Sequence, residues 1–358
     1  MKFVLLLALV QSQLPPEQFQ LLKLDHSVKP AESSEGAIGN VTSLAVAKDG
    51  SVFTAEEKPA RVLQYDRTGT FIRTVMRSGE GPGETRAPRI VIHSDTLYVL
   101  DPALGRLSRL TLNGKIVDER PVPVRSLASM FWVADDGSVV VTSFPLPAPW
   151  DGIALRLRKQ GKVDTILWKH PRSEDRMLEF AGPTFVLKGR FPFSPPGAIA
   201  FDLAGRLILG GTKRSSWVII DGRDTVGHFS SPDVPIPIAP HVRDSVWDAV
   251  YARLKARAGG WPHFDDVVRK DAFPTTLPAW MTINVDPAGR WWIGRSNSRG
   301  QLGSWDIVER GRITKRVTVP ASVTTGLDGE IVAFGQGTIA LLHADQDGIP
   351  WIGVYRVP

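Results

Sequence analysis

No cysteine occurs among the 358 residues of the chain. Disulfides, thiolate metal sites, a cysteine nucleophile and the lipidated cysteine of a lipoprotein are therefore excluded. Asparagine is scarce, present only at 40, 113, 284 and 297. The seven histidines, 26, 93, 170, 228, 241, 263 and 343, never fall at HxH, HxxxH or HExxH spacing, which argues against a zinc site. GxSxG and sialidase-type Asp-box patterns are missing too, so serine-hydrolase and sialidase chemistry have no motif to rest on. The apolar run Phe3–Val10 has eight residues, too few to span a bilayer, and no later stretch comes closer. Neither sign of charge dominates: Lys+Arg 43 against Asp+Glu 37 leaves +6 over the whole chain, too dilute to indicate nucleic acid by itself.

What is present at the N-terminus is a leader pattern. Lys2 is a minimal positive region, Phe3–Val10 an apolar one, and Ser12 a small residue where cleavage would fall. We therefore expect residues 1–12 to be a signal peptide and residues 13–358 to be one exported domain, periplasmic or extracellular. The competing reading of the leader is a first buried strand.

Gly 33 and Pro 28 are spread along the chain as turn punctuation rather than gathered in a linker. The clearest unit is Met76–Gly114. A Gly/Pro-rich turn, SGEGPGE at Ser78–Glu84, opens it. Strand-length apolar runs follow at 89–93, 96–100 and 107–112. Turn-type residues separate them: Ser94-Asp95, Pro102–Gly105 and Asn113-Gly114. This predicts an antiparallel meander of about 40 residues, which cannot bury both faces without neighbours. GEGPGE, Ala87-Pro88, LYVLD, Gly105-Arg106-Leu107 and Asn113-Gly114 together resemble one NHL-type β-propeller repeat, and more broadly the bacterial six-bladed propeller proteins. The resemblance implies a fold. Its functions range over binding scaffolds, RNA-binding modules, lactonases and lyases.

The unit recurs in phase from about Leu44 onward, with inner hairpin turns at Lys48-Asp49-Gly50, Asp135-Asp136-Gly137, Leu203-Ala204-Gly205 and Pro287-Ala288-Gly289. These glycines are expected at positive φ, on the face opposite GEGPGE. The last unit, EIVAFG, TIALLHA and PWIGVYRV, supplies only three strands. Gln18–Val28, with apolar Phe19, Leu21, Leu22 and Leu24, is the expected fourth. The predicted fold is thus all-β: a six-bladed β-propeller of four-stranded antiparallel blades, the last closed by the N-terminal strand. The adjacent Trp291 and Trp292 must point to opposite faces of their strand. Two insertions interrupt the repeat, 170–196 and 231–278. The second, between blades four and five, carries a predicted helix with Val242, Val246, Trp247, Val250, Tyr251, Leu254 and Ala258 on one face and Gly259-Gly260 as its stop. That face is expected to pack on the propeller rim as a partial lid or as a brace.

Connections from a fourth strand to the next first strand, and from second to third strands, rim one face of a propeller. The candidate ligand-binding residues lie there: Glu80, Glu84, Arg86 and Arg89 around GEGPGE; Trp261, His263 and Trp280 in or beside the long insertion; Arg295 and Asn297 in another rim loop. GEGPGE could expose backbone N–H groups to an anion; a plain turn needing positive φ is the competing reading. Trp261 and Trp280 could stack on a sugar or pack the core. No catalytic residue and no cofactor is assigned. Calcium alone is kept open, through Asn40 and Asn284 near inner strands. Basic clusters at Arg86/Arg89, Arg253/Lys255/Arg257 and Arg310/Arg312/Lys315/Arg316 would suit RNA if the protein stayed inside the cell; export argues against it. The expected function is an exported binding or scaffold module for a small molecule, glycan or protein, with no DNA partner and no membrane span. The alternative is a lactonase-like hydrolase or lyase with a metal in the axial channel. Catalysis is left open, with the balance toward a non-enzymatic role.

Overall fold

A computed structural model of the protein describes residues 19–29, 35–122, 131–143, 153–158, 163–167, 177–181, 186–190, 198–211, 216–221, 224–230, 236–260, 262–273, 275–277, 280–296, 302–318, 325–326 and 329–357. Six small antiparallel sheets stand in a ring as a six-bladed propeller. Blade one is Val41–Val46, Val52–Glu57, Ala60–Tyr65 and Phe71–Ser78; blade two is Arg89–His93, Thr96–Asp101, Arg106–Thr111 and Ile116–Pro121. Blades three (Phe131–Val133 to Val163–Leu167), four (Ala198–Phe201 to Asp224–Ser230) and five (Trp280–Val285 to Arg312–Thr318) repeat the meander.

Successive side chains alternate between the two faces of a strand, and a neighbouring blade covers each face. Both sets are therefore apolar. In blade six (Val332–Gly335, Thr338–Ala344, Pro350–Arg356), Ile339 and Leu341 pack with Trp292 and Trp305 of blade five, while Ala340 and Leu342 pack with Val46 and Val52 of blade one. Trp291 and Trp292 split as expected: Trp292 faces blade six and Trp291 joins the cluster shared with blade four.

Ring closure uses the N-terminus, with a difference. Lys23–Val28 is the fourth strand of blade six, antiparallel to Pro350–Arg356, with Val28 opposite Ile352. Phe19–Leu21, predicted as part of the same strand, instead adds in parallel to the outer edge of blade five, with Phe19 opposite Arg316. The segment thus straps two blades together. Val28 is fully buried among Val41, Val52, Ala340 and Ile352. The Gly69 turn of blade one rests on the Ser27 carbonyl, with no room for a Cβ. Asp25 meets Arg356 Nη2 at 2.6 Å. Hydrogen bonds from His26 and then Arg356 hold the Asp25 carboxyl below its usual range.

The four inner-turn glycines have φ of 88° (Gly50), 73° (Gly137), 73° (Gly205) and 78° (Gly289). Each closes the same hairpin. In blade five, Gly289 N–H donates to Asp286 O at 2.8 Å and Asp286 N–H to Arg290 O at 3.1 Å.

The first insertion contains a hairpin that the sequence pattern did not reveal, Met177–Ala181 with Val186–Arg190. The second closes its base with a short ladder, Ile236–Pro237 against Thr276–Leu277, and carries the helix Pro240–Arg257. Proline in its first turn, and Lys255 and Arg257 in its last, suit those ends. The rim-packing expectation needs correction. Trp247, Val250, Leu254 and Ala258 pack on Phe264, Val268 and Phe273 of the same insertion. Arg243 Nη2 ties the two halves, donating to the carbonyls of Lys270 and Phe273 at 3.0 Å each. The downstream run supplies the apolar partner that the helix needs, so residues 236–277 form a head with its own small core.

Candidate functional site

The GEGPGE turn is filled by its own chain. Gly81 N–H donates to Glu84 Oε2 at 2.8 Å, and Gly79 lies against the same carboxylate with no space for a Cβ. Arg106 braces the loop from below, donating to the Glu80 carbonyl at 3.2 Å and to the Glu84 carbonyl. The N–H concavity suggested for an anion is therefore occupied by Glu84. Glu80 and Arg86 form a solvent-exposed ion pair at 2.9 Å, of a kind that contributes little to stability. Arg89, at the start of the inner strand, donates to the Pro88 carbonyl at 3.0 Å.

Two buried carboxylates that the sequence reading passed over organise this face. Asp101 is the last residue of the second strand of blade two and Glu56 the last but one of the second strand of blade one, and each holds the segment leading into its blade's inner strand. Asp101 Oδ2 accepts from Thr85 Oγ1 at 2.6 Å, Arg86 N at 2.6 Å and Ala87 N at 3.3 Å. Its Oδ1 accepts from Leu104 N at 3.0 Å. Burial alone pushes this carboxyl up, but the bonds from Thr85, Arg86, Leu104 and Ala87 outweigh burial and hold it below the usual range. Glu56 accepts from Gly39 N at 2.9 Å and Arg61 Nε at 2.7 Å. Arg61 and Tyr65 in turn donate to the Ala37 and Gly36 carbonyls at 2.6 Å and 3.1 Å. The legible signal was an acid at or next to the end of an otherwise largely apolar strand, in VFTAEE and LYVLD.

The predicted site residues fall into three separate groups. Glu80, Glu84, Arg86 and Arg89 belong to the loop just described. Trp280 and Arg295 are cross-strand partners in blade five, and Trp280 does not open to the channel mouth as expected. Trp280 is 3% exposed and stacks on Trp217 at 4.8 Å in the core between blades four and five. Gly210 leaves the space that the Trp217 ring fills. Apolar burial on both sides of the strand start outcompetes a lid position for Trp280. Arg295 Nη1 bonds buried Asp306 at 2.9 Å, and Arg316 Nε meets the same carboxylate at 2.6 Å. His263 stands on the head, 71% exposed, 3.3 Å from Asp266. Trp261 and Asn297 lie outside the described residues.

Blade six holds another polar group missed in the sequence. Buried His343 stacks on Trp351 at 4.0 Å and shares a 2.9 Å hydrogen bond with Tyr355. Gly353 leaves room for both rings, and burial pushes the Tyr355 phenol up to about 12. On the opposite face, a cleft of about 220 Å³ opens between the turns of blades five and six, beside Asp286, Arg290 and Gln336. Its carboxylate is already held by Arg290 Nε at 2.7 Å and Trp292 Nε1 at 2.9 Å. Among the described residues, no three His, Asp or Glu side chains converge as metal ligands, and no helix is long and apolar enough to cross a membrane.

Solved structures similar to this chain include a Bacteroides fragilis protein classed as exported, with TM-score 0.52 and 9% identity over 94% of this chain and 96% of that one. Virginiamycin B lyase from Staphylococcus aureus aligns over 94% of this chain and 100% of its own, at TM-score 0.47 and 12% identity. The PQQ-bound aldose sugar dehydrogenase of Streptomyces coelicolor gives 0.48 and 13% over 94% and 98%. At such identities the likeness concerns the fold alone. No family profile and no curated protein matches the chain. The six-bladed propeller class therefore stands, while the NHL-type label remains a resemblance of one repeat.

Proposed function

We propose that the protein is an exported propeller that binds a small molecule, glycan or protein partner through the face carrying GEGPGE and the insertions. The supporting observation is the asymmetry of its two faces. On one side, the inner turns of blades one, three, four and five are the same tight glycine hairpin. On the other, the chain places the GEGPGE loop, the Met177–Arg190 hairpin region and the head at 236–277. Tight turns suffice to build a propeller. Long connections cost conformational entropy and are where scaffolds carry recognition. The carboxylates described on this face, Glu56, Glu84 and Asp101, are engaged in shaping its loops, which favours recognition by loop shape over metal chemistry. Export rests on Lys2, Phe3–Val10 and Ser12.

The test is to purify the protein from the exported fraction and analyse it by native mass spectrometry and elemental analysis. The same is done with residues 240–276 replaced by a Gly/Ser linker. A co-purifying molecule that is lost on replacement supports the reading. Stoichiometric calcium or zinc with no other ligand would overturn it in favour of a propeller metalloenzyme.

A further inference from the structure

We propose that the head at 236–277 is a hinged lid, a rigid body that swings on its stem across the face carrying GEGPGE. The seams between blades give the contrast. Each of the six pairs of neighbouring blades shares one buried apolar cluster, so a blade moves only by parting apolar surfaces. The seventh cluster lies wholly within the head. Among the described residues, no apolar cluster joins the head to a blade.

The head is tied together across its two halves, the helix Pro240–Arg257 and the run that follows it. Trp247 meets Phe273 edge-on at 5.6 Å, and Tyr251 meets Phe264 at 5.4 Å. Lys270 Nζ lies 2.9 Å from Asp244 Oδ1, and Lys255 Nζ lies 3.5 Å from Asp265 Oδ2. Such a body moves as one piece. Its stem is slender by comparison: Ile236 pairs with Leu277 and Pro237 with Thr276, and Ile238 N–H donates to the Thr275 carbonyl at 3.0 Å. Ile238 and Leu277 are buried and seat the stem. Just beyond them Ala239 is half-buried and Thr275 exposed. Bending therefore falls at 238–240 and 273–275, where a few residues outside regular elements absorb the backbone rotation. Relative motion is the default for bodies not joined by a large apolar interface. The head leaves the fourth strand of blade four and returns to the first strand of blade five. Its swing therefore changes access to the face on which binding is proposed, a consequence that rests on that reading, whereas the motion itself does not.

The chain has no cysteine, so pairs of introduced cysteines carry spin labels without background, and distance distributions are read by pulsed electron resonance on the ligand-free protein. The test pair is Val117→Cys on blade two with Ala256→Cys on the head. The ring control is Val117→Cys with Val226→Cys on blade four; both valines are about half-exposed, at 52% and 51%. The head control is His241→Cys with Ala256→Cys, exposed sites about 22 Å apart along the helix. The test pair should give a distribution about twofold broader than either control, or split in two. A test pair as narrow as the ring control overturns the proposal and makes the head a fixed brace. A head control as broad as the test pair also overturns it, because the head then frays instead of swinging, and so does a ring control of that breadth. No ligand enters the measurement, so its failure is told apart from a failure of the binding reading.

Discussion

Val28→Ala should weaken the whole ring, although it removes only two carbons from the strand Lys23–Val28. Val28 has no exposed surface, pairs with Ile352, and shares one buried cluster with Val41 and Val52 of blade one and Ala340 of blade six. Removing two buried carbons costs about 1.6 kcal/mol of transfer free energy, and the cavity adds roughly 1 kcal/mol where neighbours cannot collapse. The expected loss is therefore about 2.5 kcal/mol, which lowers Tm by about 5 °C in a domain of this size. Leu24→Ala, on the same strand but 54% exposed, is the internal control and should stay within about 0.5 kcal/mol. Thermal unfolding followed by circular dichroism reads both. A chain beginning at Lys29 should melt lower than Val28→Ala, and a chain beginning at Gln13 should match the parent. If Val28→Ala melts with the parent, or the chains from Gln13 and Lys29 melt together, the N-terminal strand does not close the ring energetically and the reasoning fails.

Gly205→Val should cost at least about 1 kcal/mol in a denaturant melt, because φ is 73° there and a Cβ would lie 3.1 Å from that of Ala134; ligand binding on the far face should be unchanged. Asp101→Asn should cost roughly 2 kcal/mol at neutral pH. Because the folded carboxyl is held below its usual range, its contribution is present above the unfolded value near about 3.9 and is lost as pH falls through the folded one. The gap between parent and Asp101→Asn should therefore close in acid, and a gap that widens there would contradict the hydrogen-bond account. Replacing 240–276 with a Gly/Ser linker should leave the propeller's Tm nearly unchanged, since the helix's apolar face is covered within the head; loss of folding would show that the head braces blades four and five.

The repeat was legible because its signals are local. Glycine at 50, 137, 205 and 289 marks hairpins whose φ only glycine adopts easily, and apolar runs between them are strands covered on both faces. Closure was legible by subtraction, since the last unit has three strands and the N-terminus one spare. The break at Leu22, which sends Phe19–Leu21 to blade five, was not read, although the adjacent Leu21 and Leu22 interrupt the alternation there, because only Trp292 and Trp305 decide that Leu22 turns inward. Trp280 misled for a related reason: an aromatic beside a long insertion reads as a lid, yet its stacking partner Trp217 lies far away in sequence. Asp101 and Glu56 were passed over because an acid near the end of a strand resembles any turn residue until its backbone donors, Arg86 and Gly39, are brought to it. His343 and Tyr355 meet only through the pairing of two strands around Gly353.

The strap across blades five and six also sets a clock. Arg356 and Asp25 are separated by 331 positions along the chain. At ordinary synthesis rates of about 5–20 residues per second, the residues that finish the ring wait tens of seconds for their partners to exist. Throughout that interval blades one to five can form their local meanders, but the sheet of blade six has no outer strand and the ring has no seam. Ring closure therefore waits on Pro350–Arg356: Lys23–Val28 is made early, but its pairing partner is made more than 300 residues later.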